Sequence, residues 1–373
     1  MFDNTLNLHK GPKFIHLDLT AVCNLNCLHC RATSKSDPDE LKFDEIIKFL
    51  DFCKKEFPNW EVILIGGGEP LIREKDLFNI MEHIHSLGIK CYLNTNGTLI
   101  NNRNIAKIKK FVEITQISLD GAIPKTHDYI RGKKGAFNKA IKGIDLLLRN
   151  KARVYVRMTL SMINYLEAFD LIGLALKKGV EAVSYYRTLP VGRAKKYKIH
   201  IDKRIYHLIL KELMRQKYIL KGKLDIVSSD PLKVVMDSRL KMEIFQKYDI
   251  GESMGGCLPG ITEIFVNNIG NVYPCTMMPI LLGNIRKNNL KEIWSDSHFL
   301  LEIRNRKNLK GSCKVCSLQR VCGGCRAAAF GEYGDYFAED PYCPNSFMKK
   351  TDRHKINKHK ESKFTNFPCQ SCY

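Results

Sequence analysis

The sequence has 373 residues, of which 44% are hydrophobic and 27% are charged, a balance typical of a globular protein. It contains no run of about 18 apolar residues, so we expect no membrane span. Its first residues also lack the apolar segment of a secretory signal, and we therefore expect a cytoplasmic location. In that reducing compartment the 14 cysteines are expected to bind metal rather than to form disulfides.

The formal charge of +21 comes from 60 Lys and Arg residues against 39 Asp and Glu residues. Such an excess indicates either a lysine-rich solvated surface or an acidic partner, such as nucleic acid, anionic lipid or a polycarboxylate. The sequence has no zinc-finger, helix-turn-helix or aromatic RNA-binding pattern. We therefore do not expect a nucleic acid partner.

The first two hundred residues alternate strand-like and helix-like segments. Strands are predicted at residues 13–20, 61–66, 90–96, 115–120, 153–160 and 181–189. Strands that alternate with helices indicate a parallel sheet with right-handed crossovers. The sequence therefore predicts an α/β fold, and within it a partial (β/α)6 barrel of the TIM type.

The predicted strands each have one apolar and one polar face. In the fourth strand, for example, Gln116, Ser118 and Asp120 alternate with Ile117 and Leu119. In the fifth strand, Arg157 lies on the polar face and Val156 and Met158 lie on the apolar face. A closed eight-stranded barrel usually fills its lumen with branched apolar side chains. This pattern instead predicts a lumen lined by hydrogen-bonding groups, as suits an open barrel around a polar ligand.

The pattern changes after residue 200, where glycine-rich turns and cysteines become frequent. We predict four consecutive parts: a barrel domain (1–200), a charged helical bridge (201–250), a small metal-organised domain (251–347) and a basic tail (348–373). The tail ends in a C-x2-C pair, Cys369 and Cys372, which either completes a metal site or is a simple thiol pair.

Three cysteines follow the first predicted strand with the spacing C-x3-C-x2-C: Cys23, Cys27 and Cys30. A structural zinc site has four ligands and disulfides need an even number of cysteines, so three thiolates suit neither unless a fourth zinc ligand comes from elsewhere. Three thiolates on a four-iron cluster leave one iron open to a small molecule. On this motif the chain resembles the radical S-adenosylmethionine (SAM) enzymes, whose signature is C-x3-C-x-aromatic-C, with His29 in the aromatic position.

Three more segments resemble that family in the same chain order: GGGEPLI, NTNGTLI and ISLDG. The first is similar to the GGEP turn that holds the SAM amino group. The resemblance implies that Ser118 and Arg131 contact the SAM carboxylate, while Asn96 and Asp120 lie near its polar half. The implied SAM-binding residues are Gly67, Gly68, Glu69, Pro70, Asn96, Ser118, Asp120 and Arg131.

The cysteine-rich part resembles the SPASM extension, a small iron–sulfur domain that carries auxiliary four-iron clusters in some radical SAM enzymes. The resemblance implies one cluster on Cys313, Cys316, Cys322 and Cys343, and a second, with an open iron, on Cys257, Cys275 and Cys325. The spacer between Cys322 and Cys325 is two residues where three are usual, and no further cysteine lies between Cys257 and Cys275. One auxiliary cluster is therefore better supported than two, and a zinc ribbon is the alternative.

Four segments, NLNCLHCRA, LPVGRA, VCGGCRAAAF and GDYFAEDPYCPN, resemble the tetrapyrrole-modifying group that includes the heme b synthases. The resemblance implies oxidative decarboxylation of two propionates of iron-coproporphyrin III to vinyl groups, with an auxiliary cluster as electron acceptor. A low-potential donor such as ferredoxin or flavodoxin would be a partner. Guanidinium groups suit carboxylates, and we predict Arg187 and Arg193, beside the end of the sixth strand, as substrate anchors.

A second hypothesis is a peptide-modifying SPASM maturase that forms thioether or carbon–carbon crosslinks. Many such enzymes carry a leader-peptide-binding domain before the barrel, whereas 12 residues precede the first predicted strand here. Sulfatase-maturing relatives place an acidic residue after a conserved cysteine, at the position of Thr276. Both differences favour the tetrapyrrole hypothesis. A non-catalytic iron–sulfur or zinc protein is a third hypothesis, against which the ordered SAM-binding segments argue.

Overall fold

A computed structural model describes residues 11–31, 38–237 and 256–347. The basic tail with Cys369 and Cys372, and residues 238–250 of the predicted bridge, lie outside the described residues. In the described ranges, no helix has both the length and the apolar character that crossing a membrane requires.

Six parallel strands follow one another in the sheet in chain order. They are β1 (Phe14–Thr20), β2 (Val62–Gly67), β3 (Lys90–Thr95), β4 (Ile114–Ser118), β5 (Val154–Leu160) and β6 (Ala182–Arg187). Each agrees within two residues with a strand predicted from the sequence. The α/β fold with a partial barrel is confirmed.

Four more strands extend this sheet at its two edges. They are β7 (Asp225–Ser228), β8 (Glu263–Val266), β9 (Asn271–Tyr273) and β10 (Gly283–Asn284). Strand β7 pairs in parallel with β6, and β8 pairs in parallel with β1. The segment expected to be a helical bridge thus contains a strand as well as a helix, and the cysteine-rich part continues the barrel sheet through β8.

Helices cover the outer face of the sheet and fill the cysteine-rich part. They are α1 (Phe43–Glu56), α2 (Glu74–Ser86), α3 (Ile105–Phe111), α4 (Pro124–Arg131), α5 (Ala136–Arg149), α6 (Ala168–Lys178), α7 (Gly192–Tyr197), α8 (Lys203–Ile219), α9 (Lys233–Met236), α10 (Leu290–Asp296), α11 (His298–Arg304), α12 (Gly311–Lys314), α13 (Arg326–Tyr333) and α14 (Pro344–Phe347). Helix α8 starts where the Asp202 carboxylate accepts hydrogen bonds from the backbone N–H groups of Arg204 and Ile205.

The alternation of side chains along β1 separates the core from the lumen. Ile15, Leu17 and Leu19 are at most 1% exposed and pack in the core between sheet and helices. His16 and Asp18, on the other face, are only half-buried. Period-two alternation puts successive side chains on opposite faces, so the polar residues of neighbouring strands share one surface, which is the barrel lumen.

Candidate active site

The loop after β1 carries Cys23, Cys27 and Cys30 at the carboxyl ends of the parallel strands, where barrel enzymes place their sites. Cys27 is buried, and the other two are half-buried. The end of helix α4 holds this loop, because the N–H groups of Asn26 and Leu28 donate to backbone carbonyls at Arg131 and Ile130, at 3.0 and 2.8 Å.

The three thiols form one electrostatic group. The pKa of the Cys23 thiol is raised to about 11, chiefly by burial; the Leu25 N–H opposes this shift, and the proximity of Cys27, Glu69 and Cys30 adds to it. Burial also raises the pKa of Cys27, although the Arg131 guanidinium opposes that shift. Thiolates become favourable here when a cation joins them, and metal ligation deprotonates thiols in this way. The donor set therefore fits an iron–sulfur cluster.

The turn after β2 packs directly on the cysteine loop. The N–H groups of Gly68 and Glu69 donate to the carbonyls of Thr20 and Val22, at 2.7 and 2.8 Å. A Cβ atom on Gly68 would lie 2.1 Å from the Val22 oxygen, so only glycine allows this approach. Pro70 begins the 3₁₀ helix that leads into α2.

Glu69 is fully buried beneath this loop. Its carboxylate accepts hydrogen bonds from the Thr95 hydroxyl at 2.6 Å, from the Asn96 N–H at 2.8 Å and from the Leu71 N–H at 3.3 Å. Burial raises the pKa of Glu69, and these hydrogen bonds oppose the shift. The side chain of Asn96 in turn donates to the Asn24 side-chain oxygen at 2.8 Å, so Asn96 fixes the same loop.

Asp120 contacts both His29, in the cysteine loop, and Arg131, at the end of α4. Its buried carboxylate lies 2.5 Å from His29 Nε2 and 2.7 Å from an Arg131 nitrogen. Although burial alone would raise the pKa of Asp120, Arg131 and His29 lower it overall. Arg131 also donates to Cys27 Sγ at 3.6 Å. Asp120 therefore orients His29 and Arg131 around the cysteines, a role that the sequence did not predict for it.

Ser118 has a different environment from the other predicted SAM residues. It ends β4 on the lumen face, is half-buried, and its hydroxyl makes no hydrogen bond to another described residue. The hydroxyl is therefore free to bind a ligand.

We predict that Ser118→Ala weakens SAM binding by about 1–3 kcal/mol, because a polar contact to the ligand is lost from a partly dry site. Isothermal titration of the reconstituted protein measures the affinity, and iron content should stay at the wild-type value. Unchanged SAM affinity would contradict the role transferred to Ser118. Arg131 is less suitable for this test, since its removal also strips Asp120 and Cys27 of a partner.

A second group of cysteines surrounds a cavity in the cysteine-rich part. Cys313, Cys316, Cys322 and Cys343 line about 320 Å³ of empty space, part of it open to solvent. The N–H groups of Leu318 and Gly324 donate to the sulfurs of Cys316 and Cys322, both at 3.4 Å. These are the four cysteines expected to share a cluster, and the cavity supports that assignment.

The remaining three cysteines of this part lie near one another. Burial raises the pKa of Cys275 and of Cys325 to about 12, and in each case the proximity of Cys257 adds to the shift. The Cys257 N–H donates to the Cys322 carbonyl at 3.0 Å, so the two groups are neighbours. The assignment of these three thiols to a second cluster stays a prediction.

The prediction of Arg187 as a substrate anchor is wrong. Its side chain is 4% exposed, and its Nη2 and Nε atoms lie 2.8 Å from Asp340 and 2.9 Å from Asp230. The guanidinium also lies against the rings of Tyr342 and Tyr206. Because two buried carboxylates already occupy this guanidinium, it is not available to a substrate.

Arg193 remains a candidate anchor on the rim. Its N–H donates to the Cys30 carbonyl at 2.9 Å, and its Nη1 donates to the Asn26 side chain at 2.5 Å. The Nε atom is buried and has no hydrogen-bond partner among the described residues. Arg193 therefore lies directly beside the cluster loop.

The lumen contains a further arginine, Arg157 on β5. The strand alternation predicts Arg157 on the polar face, but the sequence did not indicate a role for it. Its guanidinium carbon is 3.6 Å from the centre of the Tyr186 ring, and its Nη1 donates to Gln116 Oε1 at 3.3 Å. It is in register with Ser118 on the neighbouring strand. Among the described residues it has no ion-pair partner.

Comparisons with known proteins agree with this geometry. Residues 17–169 match the radical SAM superfamily, and residues 257–317 match an iron–sulfur cluster-binding domain, SPASM. An AdoMet-dependent heme synthase from Methanosarcina barkeri is 34% identical over 90% of this chain and 97% of its own length. A second, from Oleidesulfovibrio alaskensis, is 30% identical over 91% of this chain and 88% of its own length.

The chain is also similar to a maturase and to a solved structure. Mycofactocin maturase MftC from Mycolicibacterium smegmatis is 28% identical over 89% of this chain and 83% of its own length. The crystal structure of Streptococcus suis SuiB bound to S-adenosylmethionine has the same fold, with a TM-score of 0.74 at 19% identity over 90% of this chain and 77% of that chain. The chain thus belongs to the radical SAM superfamily, and it is an enzyme with a SPASM domain whose cofactors are SAM and [4Fe–4S] clusters.

Proposed function

We propose that the enzyme converts propionate side chains of iron-coproporphyrin III to vinyl groups. The observation that carries this proposal is that Arg157 lies in the polar lumen, in register with Ser118, and has no ion-pair partner among the described residues. A cation at this place suits a substrate carboxylate held close to SAM. The names of the relatives, heme synthases among them, support a tetrapyrrole as the polycarboxylate.

Each propionate would lose a hydrogen atom from its β-carbon, and then carbon dioxide and one electron, which leaves a vinyl group. When bound, SAM and the clusters supply the 5′-deoxyadenosyl radical that takes the hydrogen atom and an acceptor for the electron. The chain's own residues orient the reactants. Glu69 and Asn96 fix the loops around SAM, while the lumen cations position the carboxylates.

Arg157 is the cation best placed for this in the lumen. Arg31 is also nearby, but its guanidinium is paired with the Asp18 carboxylate and lies over the Phe265 ring. Burial, together with the charges of Arg157 and Arg31, lowers the pKa of His16 to about 4, so His16 is neutral near pH 7. Arg157 therefore keeps a charge that no described carboxylate neutralises.

We predict that Arg157→Met weakens binding of iron-coproporphyrin III at least about tenfold, because hydrogen bonds to charged groups contribute about 1.5–3 kcal/mol. Absorbance titration of the porphyrin band under anaerobic conditions measures the affinity. Lys195→Met is the matched control, since Lys195 is exposed on α7 and its loss removes the same charge. Equal weakening in both variants would assign the effect to net charge rather than to the lumen.

The function itself is tested with the anaerobically reconstituted enzyme, SAM, a strong reductant and iron-coproporphyrin III. Mass spectrometry should detect loss of two carboxyl groups and formation of vinyl products, together with released carbon dioxide. If SAM is cleaved while iron-coproporphyrin III and didecarboxysiroheme return unchanged, the tetrapyrrole assignment fails. The peptide-modifying alternative, which the similarity to mycofactocin maturase supports, then becomes the stronger proposal.

An electron donor completes the proposal. The net charge of +21 suits an acidic low-potential carrier such as ferredoxin or flavodoxin, because opposite charges steer association. The cysteine content supports a reducing, cytoplasmic environment for the same assembly.

A further inference from the structure

Three arginines of the cysteine-rich part, Arg304, Arg306 and Arg326, are buried and form no ion pair among the described residues, and two of them, Arg306 and Arg326, lie against cysteine residues. Arg326 is 0% exposed, Arg306 is 6% exposed, and neither forms an ion pair within the described ranges. They differ in this from Arg187, which is as buried but has two carboxylate partners. A buried charge without a counter-ion is strongly unfavourable, so the missing counter-charge requires an explanation.

Neutral carbonyl groups take up most of the hydrogen bonds of these guanidinium groups. Arg326 donates to the carbonyls of Tyr336 and Ala338, at 2.9 and 2.6 Å, and Arg306 donates to the Cys257 carbonyl at 2.6 Å. Carbonyl groups satisfy donors but do not neutralise a full positive charge. The Nε atom of Arg306 remains buried without any partner among the described residues.

Cysteine residues lie close to both arginines, and the Asp335 carboxylate also interacts electrostatically with Arg326. Arg326 Nη2 lies 3.9 Å from Cys313 Sγ. Arg306 donates to the carbonyl of Cys257, and its Nη1 atom lies against Gly323, the residue that follows Cys322. Its guanidinium therefore lies between the two cysteine groups, the four that line the cavity and the three that include Cys257.

The glycines between Cys322 and Cys325 allow this arrangement. A Cβ atom on Gly323 would lie 2.3 Å from Arg306 Nη1, and one on Gly324 would lie 2.6 Å from Arg326 Nη2. Both glycines also have positive φ angles, +64° and +60°. The two-residue spacer, which departs from the usual family spacing, is thus the place where the two guanidinium groups reach the cysteine loop.

We infer that Arg306 is a shared cationic partner of two iron–sulfur clusters, one on each cysteine group, and that Arg326 is a second partner of the cluster in the cavity. A cluster held by thiolates carries a net negative charge, and this would supply a counter-charge to Arg306 and add to the one that Asp335 gives Arg326. A fixed positive charge favours the reduced, more negative cluster, so it raises the reduction potential. The inference does not depend on the identity of the substrate.

The test uses the full chain with Cys23, Cys27 and Cys30 replaced by Ala, so that only auxiliary clusters remain. Two such clusters give about 8 iron atoms per chain. Arg306→Gln should shift the midpoint potentials of both clusters to lower values in a redox titration followed by electron paramagnetic resonance. Arg306→Lys keeps the charge and should shift them much less. Arg215→Gln, at an exposed arginine paired with Glu212, should shift neither.

Each outcome decides the inference. If both potentials stay unchanged in a fully loaded Arg306→Gln variant, or if only one moves, the shared role is wrong. If the Arg306→Gln variant loses its clusters, the Arg306→Lys variant is decisive. Iron retained at near-native potentials in Arg306→Lys supports a role of the positive charge, and loss of iron in that variant contradicts this role. About 4 iron atoms per chain in the unsubstituted Arg306 background would also overturn the inference.

Discussion

Replacing Arg187 by Met is expected to lower the free energy of unfolding by about 3–5 kcal/mol, the cost of leaving buried charges without their partner. Asp230 and Asp340 would then face each other in the interior without a cation between them. Both carboxylates hold other groups in place. Asp340 accepts hydrogen bonds from the N–H groups of Cys325 and Tyr342, at 2.8 and 2.9 Å, so the damage should extend to the cysteine loop.

Urea unfolding of the holoenzyme, followed by circular dichroism, measures this effect. Arg215→Met is the matched control, because Arg215 is 60% exposed and its pair with Glu212 should contribute less than about 1 kcal/mol. One result would restore the prediction that Arg187 is a substrate anchor. An Arg187→Met variant with wild-type stability and with lost porphyrin affinity would show that Arg187 is a substrate anchor after all.

The prediction of Arg187 as a substrate anchor failed for a physical reason. The sequence correctly placed Arg187 at the end of the sixth strand, because strand position follows from local period-two alternation. What it did not reveal was the partner, since Asp340 is 153 residues away along the chain and meets Arg187 only after the fold has formed. Exposure of an arginine depends on such distant contacts, and no local pattern encodes them.

The polar face of the barrel lumen was predicted more accurately from the sequence than the substrate anchors were. Alternation assigned Ser118 and Arg157 to one polar face, and the register of β4 with β5 places them side by side. The resemblance to the SPASM extension likewise grouped Cys313, Cys316, Cys322 and Cys343, and these four cysteines line one cavity. By contrast, β8 has only four residues, Glu263–Val266, and its pairing with β1 is a long-range contact that the sequence pattern did not indicate.

Replacing Cys23, Cys27 and Cys30 together by Ala is expected to abolish reductive cleavage of SAM. The three thiols form one group beside the Glu69 turn, and Arg131 donates to one of them. Without thiolates this site cannot hold its cluster, so about 4 iron atoms per chain should be lost. Iron analysis and detection of 5′-deoxyadenosine by chromatography measure the two effects.

Cysteines in the hydrophobic core provide the matched control. Cys53 is 0% exposed and Cys91 is 2% exposed, and burial raises the pKa of Cys91 to about 12. Cys53→Ala and Cys91→Ala should therefore keep the full iron content and SAM cleavage, at some cost in stability from the vacated volume. If the triple variant retained SAM cleavage, or if these core variants lost as much iron, the loop after β1 would not be the SAM-binding cluster site. Binding of zinc alone by the wild-type chain under strictly anaerobic reconstitution would refute the assignment of all three cysteine groups to iron–sulfur clusters.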